Sequence, residues 1–373
     1  MKPISVTVQV VTPATLDVSA PDSYDVVLSN AIDKLEVTAA TDASGKATFT
    51  NVVPGTYSIT ASGTNLGFLL AGSVANKSLV TDGEVIEVTV AAAKTSTLVF
   101  KEIYYTGSKT PSGGSYFRDQ FYEIYNNSEV TVYADGLCIG HLIPINATAN
   151  MPTWDRADPD DYVYFYQIFR VPGSGNQYPV KPGESIIIAQ MAQNHKTETL
   201  NPDSPVDLSS SEFEAYTPDG SSWIDNPSVI NMPCVSNSVS AAPWQWLAPV
   251  FGPAVAIFFP DASTNFDDFT VQVGSSTKGK QVPVKQILDV FEAVQNEANT
   301  QLKRVPTVLD AGSVYASGTY VGEGFSRKIL STTEDGRNVY QDTNNSTNDF
   351  EKQTTPAIRR YDAKIPSWNT WAK

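Results

Sequence analysis

Residues 100–107 read FKEIYYTG, and residues 119–140 read DQFYEIYNNSEVTVYADGLCIG. Each run sets one glutamate, Glu102 or Glu123, among aromatic and β-branched neighbours. Two carboxylates on adjacent strands could supply the acid and the nucleophile of a glycoside hydrolase. The same pattern also describes two strands whose charged positions serve the sheet. Period-two alternation sets Leu98, Phe100, Glu102 and Tyr104 against Val99, Lys101, Ile103 and Tyr105. It likewise sets Phe121, Glu123 and Tyr125 against Tyr122, Ile124 and Asn126, and after the NNSE turn Val130, Val132 and Ala134 share a face, so the pieces fit a meander. We read both runs as strands first, with the glutamates near the sheet rim or paired with Lys101 and Arg118.

The totals agree with a β protein. A chain of 373 residues with 41% hydrophobic content can bury two domain cores. Aromatics reach 10% while charged residues stop at 17%, the balance of a sheet protein covered by Thr, Ser, Asn and Tyr. A formal charge of −15 repels a phosphate backbone, and the densest basic cluster is AIRRYDAK at 357–364, so nucleic acid is not an expected partner. No run approaches the ~18 apolar residues of a membrane span, and MKPISVTVQV lacks the features of a signal peptide. Cys138 and Cys234 are too few for a disulfide scaffold or a structural zinc site, which leaves one bridge or two free thiols.

Along the first hundred residues, DVVLSN, KLEVTAAT, DASGKATFTNVVPGTYSITASG and GEVIEVTVAA give short alternating strands broken by turns, a small antiparallel sandwich. In VVPGTY, Pro54 presets the turn and Gly55 supplies backbone freedom before Tyr57 and Ile59. This order resembles the carboxypeptidase-regulatory-like and Cna-B-like modules, transthyretin-like sandwiches, and the resemblance implies a spacer over residues 1–96. The second domain, 97–373, carries LVFKEIYYTG, then FYEIYNNSEVTVYADGL, then YPVKPGESIIIAQ with Pro182 and Gly183 feeding Ile186, Ile187 and Ile188. That succession resembles the lamin-tail family of Ig-like sandwiches, with GPAVAIFFP and ILDVFEAV where such domains place later strands. Residues 141–178 and 199–250 read as long insertions. The expected fold class is therefore all-β with minor helix, two sandwiches in series. In PVKQILDVFEAVQNEANTQLKR, helical spacing competes with the resemblance, and we expect a strand followed by a helical turn or loop. VYASGTYVGEGFSRKI and RNVYQDTNNSTNDFEKQ read as a last strand pair, and IPSWNTWAK as a tail that docks through Trp368 and Trp371.

As a whole, the pairing resembles a family of Bacteroidetes surface lipoproteins. It implies an outer-membrane or extracellular location, a lipid anchor outside this chain, and an outer-membrane nutrient transporter or a surface ligand (glycan, peptide or metallophore) as partner.

Catalytic signals are sparse. No G-x-S-x-G elbow is present, and His141 in LCIGHLIP reads as a half-buried strand residue. His195 in QMAQNHKTE sits in a polar context with Glu198 three residues on, a shared face if that segment is helical. The only cofactor weighed is Ca²⁺. DTNNSTND offers Asp342, Asn344, Ser346 and Asn348 at alternate positions, and WDRADPDDY groups Asp155, Asp158, Asp160 and Asp161; either could equally be a solvated turn. The stronger ligand-binding candidates are aromatics of the insertions: Trp154, Tyr162, Tyr164, Tyr166, Trp223, Trp244 and Trp246. Flat rings on long loops build recognition surfaces, or else they fill a second small core. The expected function is non-catalytic binding through second-domain loops. The alternatives are a surface glycan hydrolase using Glu123 with Asp155 or Glu102, and a calcium-dependent adhesin.

Overall fold

A computed structural model describes residues 2–372 except 15, 17–19, 31–32, 66–67, 95–96, 148–151, 155–161, 216–222, 239–245, 247, 262–263 and 301. The chain divides into two units, Met1–Thr95 and Ser96–Lys373. Both are built almost wholly from strands.

In the first unit, a sheet ordered Lys46–Val52, Ile4–Val11, Glu84–Thr89 faces a five-stranded sheet containing Asp25–Asn30 and Gly55–Asn65. Alternate residues of each strand point inward, so Val6, Val8, Val26, Leu28, Phe49, Ile59 and Val88 close one core. The unit is not purely antiparallel, because Ile4–Val11 runs parallel to Glu84–Thr89.

The second unit is a larger sandwich. Its first sheet runs Ile230–Asn231, Phe213–Glu214, Ser185–Ala189, Phe121–Asn126, Leu98–Tyr104, Gly324–Arg327, Phe350–Gln353. The second has Tyr162–Arg170 and Cys138–Leu142 at its centre, followed by Ala254–Phe258 and Ile287–Glu292, with Lys278–Pro283 on the other side. Leu98, Phe100, Tyr122, Ile124, Ile186, Ile188, Ile139, Val255 and Phe291 fill the space between them. The VTVYADGL run is not a third meander strand: just Val132–Tyr133 pairs, with Pro179–Val180, while the chain crosses to the other sheet at Cys138. ILDVFEAV is a strand, as the resemblance implied, with a 3-10 turn at Glu297–Asn299.

Strict alternation fails at one residue of the Leu98 strand, and that failure places both glutamates. Glu123 pairs with Glu102 but Ile124 pairs with Phe100, so Lys101 is a bulge with no residue opposite. The phase of the strand flips there. Leu98 and Phe100 face the core, and so do Ile103 and Tyr105, while Lys101 and Glu102 both lie outside it. Without the bulge, Glu102 would share the core face with Phe100, and an unpaired buried charge would be prohibitive.

The two supposed insertions are structural. Tyr162–Arg170 reads YVYFYQIFR because it is covered on both faces, and it pairs with Cys138–Leu142 and with Lys278–Pro283. Phe213–Glu214 and Ile230–Asn231 extend the first sheet in parallel register, and Cys234–Asn237 pairs with the Tyr162 strand. Cys138 and Cys234 are free thiols.

The outer face of the first sheet carries a transverse row in which Glu351 opposes Ser326, Ser326 opposes Glu102, and Glu102 opposes Glu123. The basic cluster found in the sequence lies over this row. Arg360 donates to Glu102 through Nε and Nη2, both at 3.0 Å, and the Ala357 amide adds a bond of 2.9 Å. Glu123 accepts from the Arg359 amide at 2.8 Å and faces Lys101 Nζ at 3.1 Å. Arg359 reaches Glu212 at 2.5 Å. Trp368 and Trp371 pin the end of the segment by donating to the carbonyls of Pro179 and Ser211. Arg118 instead lies over the Trp223 ring at 5.2 Å.

Replacing Glu123 by Ala would leave Lys101, 1% exposed, without a counter-ion. The expected cost is about 3–5 kcal/mol in urea denaturation, against a smaller loss for Glu102→Ala, whose partner Arg360 reaches water. Equal losses would contradict this arrangement.

Candidate functional site

The ends of three segments meet beside the first sheet to form a cleft of about 340 Å³. One wall is the turn at Val250 and Phe251, the second the strand end at Val294, Gln295 and Asn296, and the third the stretch Ala316–Thr319. Tyr105, one residue beyond the Leu98 strand, lines the interior.

Each wall is held from behind. Arg304, paired with Glu292 at 2.9 Å, donates through Nη1 and Nη2 to the Gly252 carbonyl at 3.1 Å. Gln120 Nε2 donates to the carbonyls of Tyr105, at 2.6 Å, and Ala248, at 3.1 Å. The Val294 amide donates to Val314, and the Ser317 amide to Glu323 Oε2 at 2.7 Å. The Tyr105 ring stacks on Phe325, with centroids 5.9 Å apart, and is tilted against Phe291. Its hydroxyl is buried, with the Ala316 backbone beside it but no hydrogen bond of normal geometry. Burial holds the phenol neutral by raising its pKa. Gln295, Asn296, Ser317 and Thr319 supply amides and hydroxyls, and no Asp, Glu, Lys, Arg or His lines the cleft among the described residues. The lining offers a small neutral molecule amide and hydroxyl hydrogen-bonding groups beside the apolar Val250, Phe251 and Val294.

The aromatic candidates fall elsewhere. Trp246 is 1% exposed in the main core, against Tyr122, Phe169 and His141. Trp154 stacks on Tyr164 with centroids 4.2 Å apart, and with Ile143 and Tyr166 these form a satellite core against which Tyr162 packs. Trp223 is buried beneath Arg118. These rings therefore do not present a recognition surface: large apolar side chains in a long chain segment fold under it when the segment itself contributes strands. Trp244 lies outside the described residues.

The calcium candidates are also turned inward. Asp342 faces Arg327 at 3.5 Å, the Ser346 hydroxyl donates to Asp310 at 2.6 Å, and the carbonyls of Asn344 and Asn348 accept from the Ala311 amide and Lys328 Nζ. Asn345 caps the single turn Ser346–Asp349. The cation among Asp289, Asp342 and Asp349 is the guanidinium of the fully buried Arg327, at 2.5, 3.5 and 3.8 Å. Among the described residues no group of three or more His, Cys, Asp or Glu could hold a metal ion. Asp155, Asp158, Asp160 and Asp161 lie outside them.

Both histidines are interior. His141 contacts the Tyr122 hydroxyl at 3.1 Å, and burial, with the Arg304 charge behind it, pushes its pKa down to about 3. His195 is fully buried in a turn, not on a helix with Glu198; it bonds the Tyr116 hydroxyl at 2.7 Å and the Met191 carbonyl at 2.8 Å. Burial lowers it to about 4.

A crystal structure of a protein from Bacteroides thetaiotaomicron matches this chain over 98% of its length and 99% of the other, with 37% identity and a TM-score of 0.72. That protein is a member of DUF4876, described as a protein of unknown function, whose model matches residues 181–357 here. The chain belongs to the DUF4876 family. No curated protein matches it. Two further solved structures fall at a TM-score of 0.19, too low to carry an argument. One is a putative carbohydrate binding protein from Bacteroides uniformis (10% identity, 78% of this chain and 100% of that one). The other is the major pilin SpaD of Corynebacterium diphtheriae (12%, 44% and 47%). The family match spans Gly183 (φ +83°) and the Ser185 strand through to Ala357, and so takes in most of the cleft and the Arg327 cage.

Sequence reasoning missed the cleft of this DUF4876 protein because its walls are drawn from residues 105, 250–251, 294–296 and 316–319. Spacing within any one segment cannot show that. The signal that could have helped is the clustering of small and polar residues in ASGTY.

Because both histidines are held neutral below their usual value of about 6.5, they contribute stability above that pH. It is lost as pH falls toward about 4 for His195 and about 3 for His141. The stability difference between wild type and His195→Gln, from urea melts between pH 7.5 and 4.5, should shrink by up to ~1.4 kcal/mol per pH unit below ~6.5. A difference independent of pH would overturn this.

Proposed function

We propose that this DUF4876 protein is a non-catalytic, cell-surface binding protein whose second unit takes a ligand in the Tyr105 cleft. In this reading the first unit is a Cna-B-like spacer and the second a lamin-tail-like sandwich. A lipid anchor outside this chain and an outer-membrane transporter as partner complete it. Among the described residues no helix is long and apolar enough to cross a membrane.

The observation that carries the reading is the contrast between the buried glutamate pair and the open cleft. Glu102 and Glu123 form a carboxylate pair on adjacent strands, and each is held by Arg360 or Lys101 and by a backbone amide. An acid that must give or take a proton has to be within reach of its substrate, whereas Glu102 and Glu123 are both fully buried beneath the C-terminal segment. The cleft, by contrast, is open and uncharged. Exposed recognition with a neutral lining suits retention of a ligand rather than its conversion.

Incubation with mixed polysaccharides and peptides, followed by mass analysis of what is retained and of what is released, tests this. The expected outcome is a retained ligand of unchanged mass. Release of cleaved products, abolished by Glu102→Gln or Glu123→Gln in folded protein, would replace this reading with the hydrolase.

A further inference from the structure

We propose that Lys101 and Glu123 are joined by a covalent side-chain amide, which the folded chain forms by itself with loss of one water. The bond lies in the first sheet of the second unit and is independent of any ligand of the cleft.

Three observations carry it. The first is the contrast between Lys101 and the other buried cations of this unit. Arg304 and Arg327 each place N–H groups on a carboxylate and on backbone carbonyls, and the Lys280 ammonium reaches the carbonyls of Asn265 and Asp268. Lys101 Nζ has just the Glu123 carboxylate at 3.1 Å and the Tyr340 ring at 5.9 Å, and makes no hydrogen bond of normal geometry. Glu123 Oε1 is equally unbonded. A buried ammonium so placed leaves its donors unfilled, and an amide removes both charges and two of the three N–H groups.

The second observation is proximity. Nζ lies 3.1 Å from an oxygen bonded to the carbon it would attack, and the paired strands hold it there. Fixing reactants in contact at about 3–3.5 Å gives effective concentrations of roughly 10⁵–10⁸ M. The third is dryness. In solution such a condensation fails because both ions are hydrated and water is in excess, whereas here the two side chains are 1% and 0% exposed beneath the C-terminal segment.

The chemistry closes within the pair. One proton passes from the ammonium to Oε1, leaving a neutral amine and a carboxylic acid. The nitrogen lone pair adds to Cδ, the Cδ–Oε1 bond breaks, and Oε1 departs as water with a second proton from nitrogen. Oε2 becomes the amide carbonyl and keeps the bond it accepts from the Arg359 amide at 2.8 Å, a donor that also stabilises the negative charge gathering there during attack.

Intact-mass measurement of the folded full chain, made after denaturation, should give a mass one water below that of the sequence. Trypsin cuts after Lys109 and Arg118 but not at an acylated Lys101, so residues 95–109 should emerge joined to residues 119–156, with fragmentation placing the link at Lys101 and Glu123. Lys101→Arg keeps a cation beside Glu123 but carries no amine to acylate; it should show its full sequence mass and separate peptides. Glu123→Ala should do the same, and serves as the control if Lys101→Arg fails to fold. A folded wild type of full sequence mass, with residues 95–101 and 119–156 recovered apart, overturns the proposal. So does a water lost at any other position, or a joined peptide pair that persists in either variant.

Discussion

The second unit depends on one charged pair in its interior. Asp289 projects from the Ile287–Glu292 strand of one sheet and accepts from the Phe100 amide of the other at 2.6 Å and from Arg327 Nη2 at 2.5 Å. Arg327 returns a bond from Nε to the Phe100 carbonyl at 2.7 Å. The Gly324–Arg327 strand pairs with the Leu98 strand just at Phe325 and Ser326, so Phe100 has no ladder partner on that side. The ion pair supplies the missing rung and ties the two layers together. Burial raises the Asp289 pKa to about 7 against the pull of Arg327, the mark of a carboxylate taken far from water. Truncating Arg327 leaves that carboxylate, Asp342 and Asp349 facing one another unneutralised.

Similar pairing recurs at four buried glutamates of this unit. A chain of net charge −15 could be expected to carry its acids as a solvated coat. Instead Glu102, Glu123 and Glu212 lie under the C-terminal segment, and Glu292 is sealed by Arg304. Arginine does most of this because its planar fork satisfies a carboxylate and neighbouring carbonyls together. Arg304 links this pairing to the cleft, since the guanidinium that neutralises Glu292 also holds the Gly252 carbonyl behind the Phe251 wall. One guanidinium thus serves both the core electrostatics and the shape of the cleft wall.

Strand identity was legible from local pattern. FYEIYN alternates as read, Pro182–Gly183 turns the chain into the Ser185 strand, and the tail docks through its two tryptophans. Each of these depends on residues near one another in the chain, where the pleat dictates which side chains share a face. The readings that failed involve partners far away. Lys101 was assigned a face by counting, but a bulge depends on what the neighbouring strand offers, and here the neighbour is Glu123. Whether Trp154, the aromatics of 162–166 and Trp246 make a surface or a core stays open in the sequence, because nothing local reveals that the distant strand Lys278–Pro283 pairs with the Tyr162 strand or that Trp246 enters the main core.

Sequence by itself determined that this DUF4876 protein is a β protein of two units, acidic overall, with its glutamates at 102 and 123 on paired strands; side-chain period and turn chemistry are local and cannot be hidden by folding. Tertiary structure alone decided that those glutamates are clamped, that Asp342 faces an arginine, and that a cleft opens beside Tyr105. Those outcomes rest on which groups, separated by up to 258 positions as in Glu102 and Arg360, come within bonding distance. A hydrogen bond has no length in sequence, and no spacing rule can announce it.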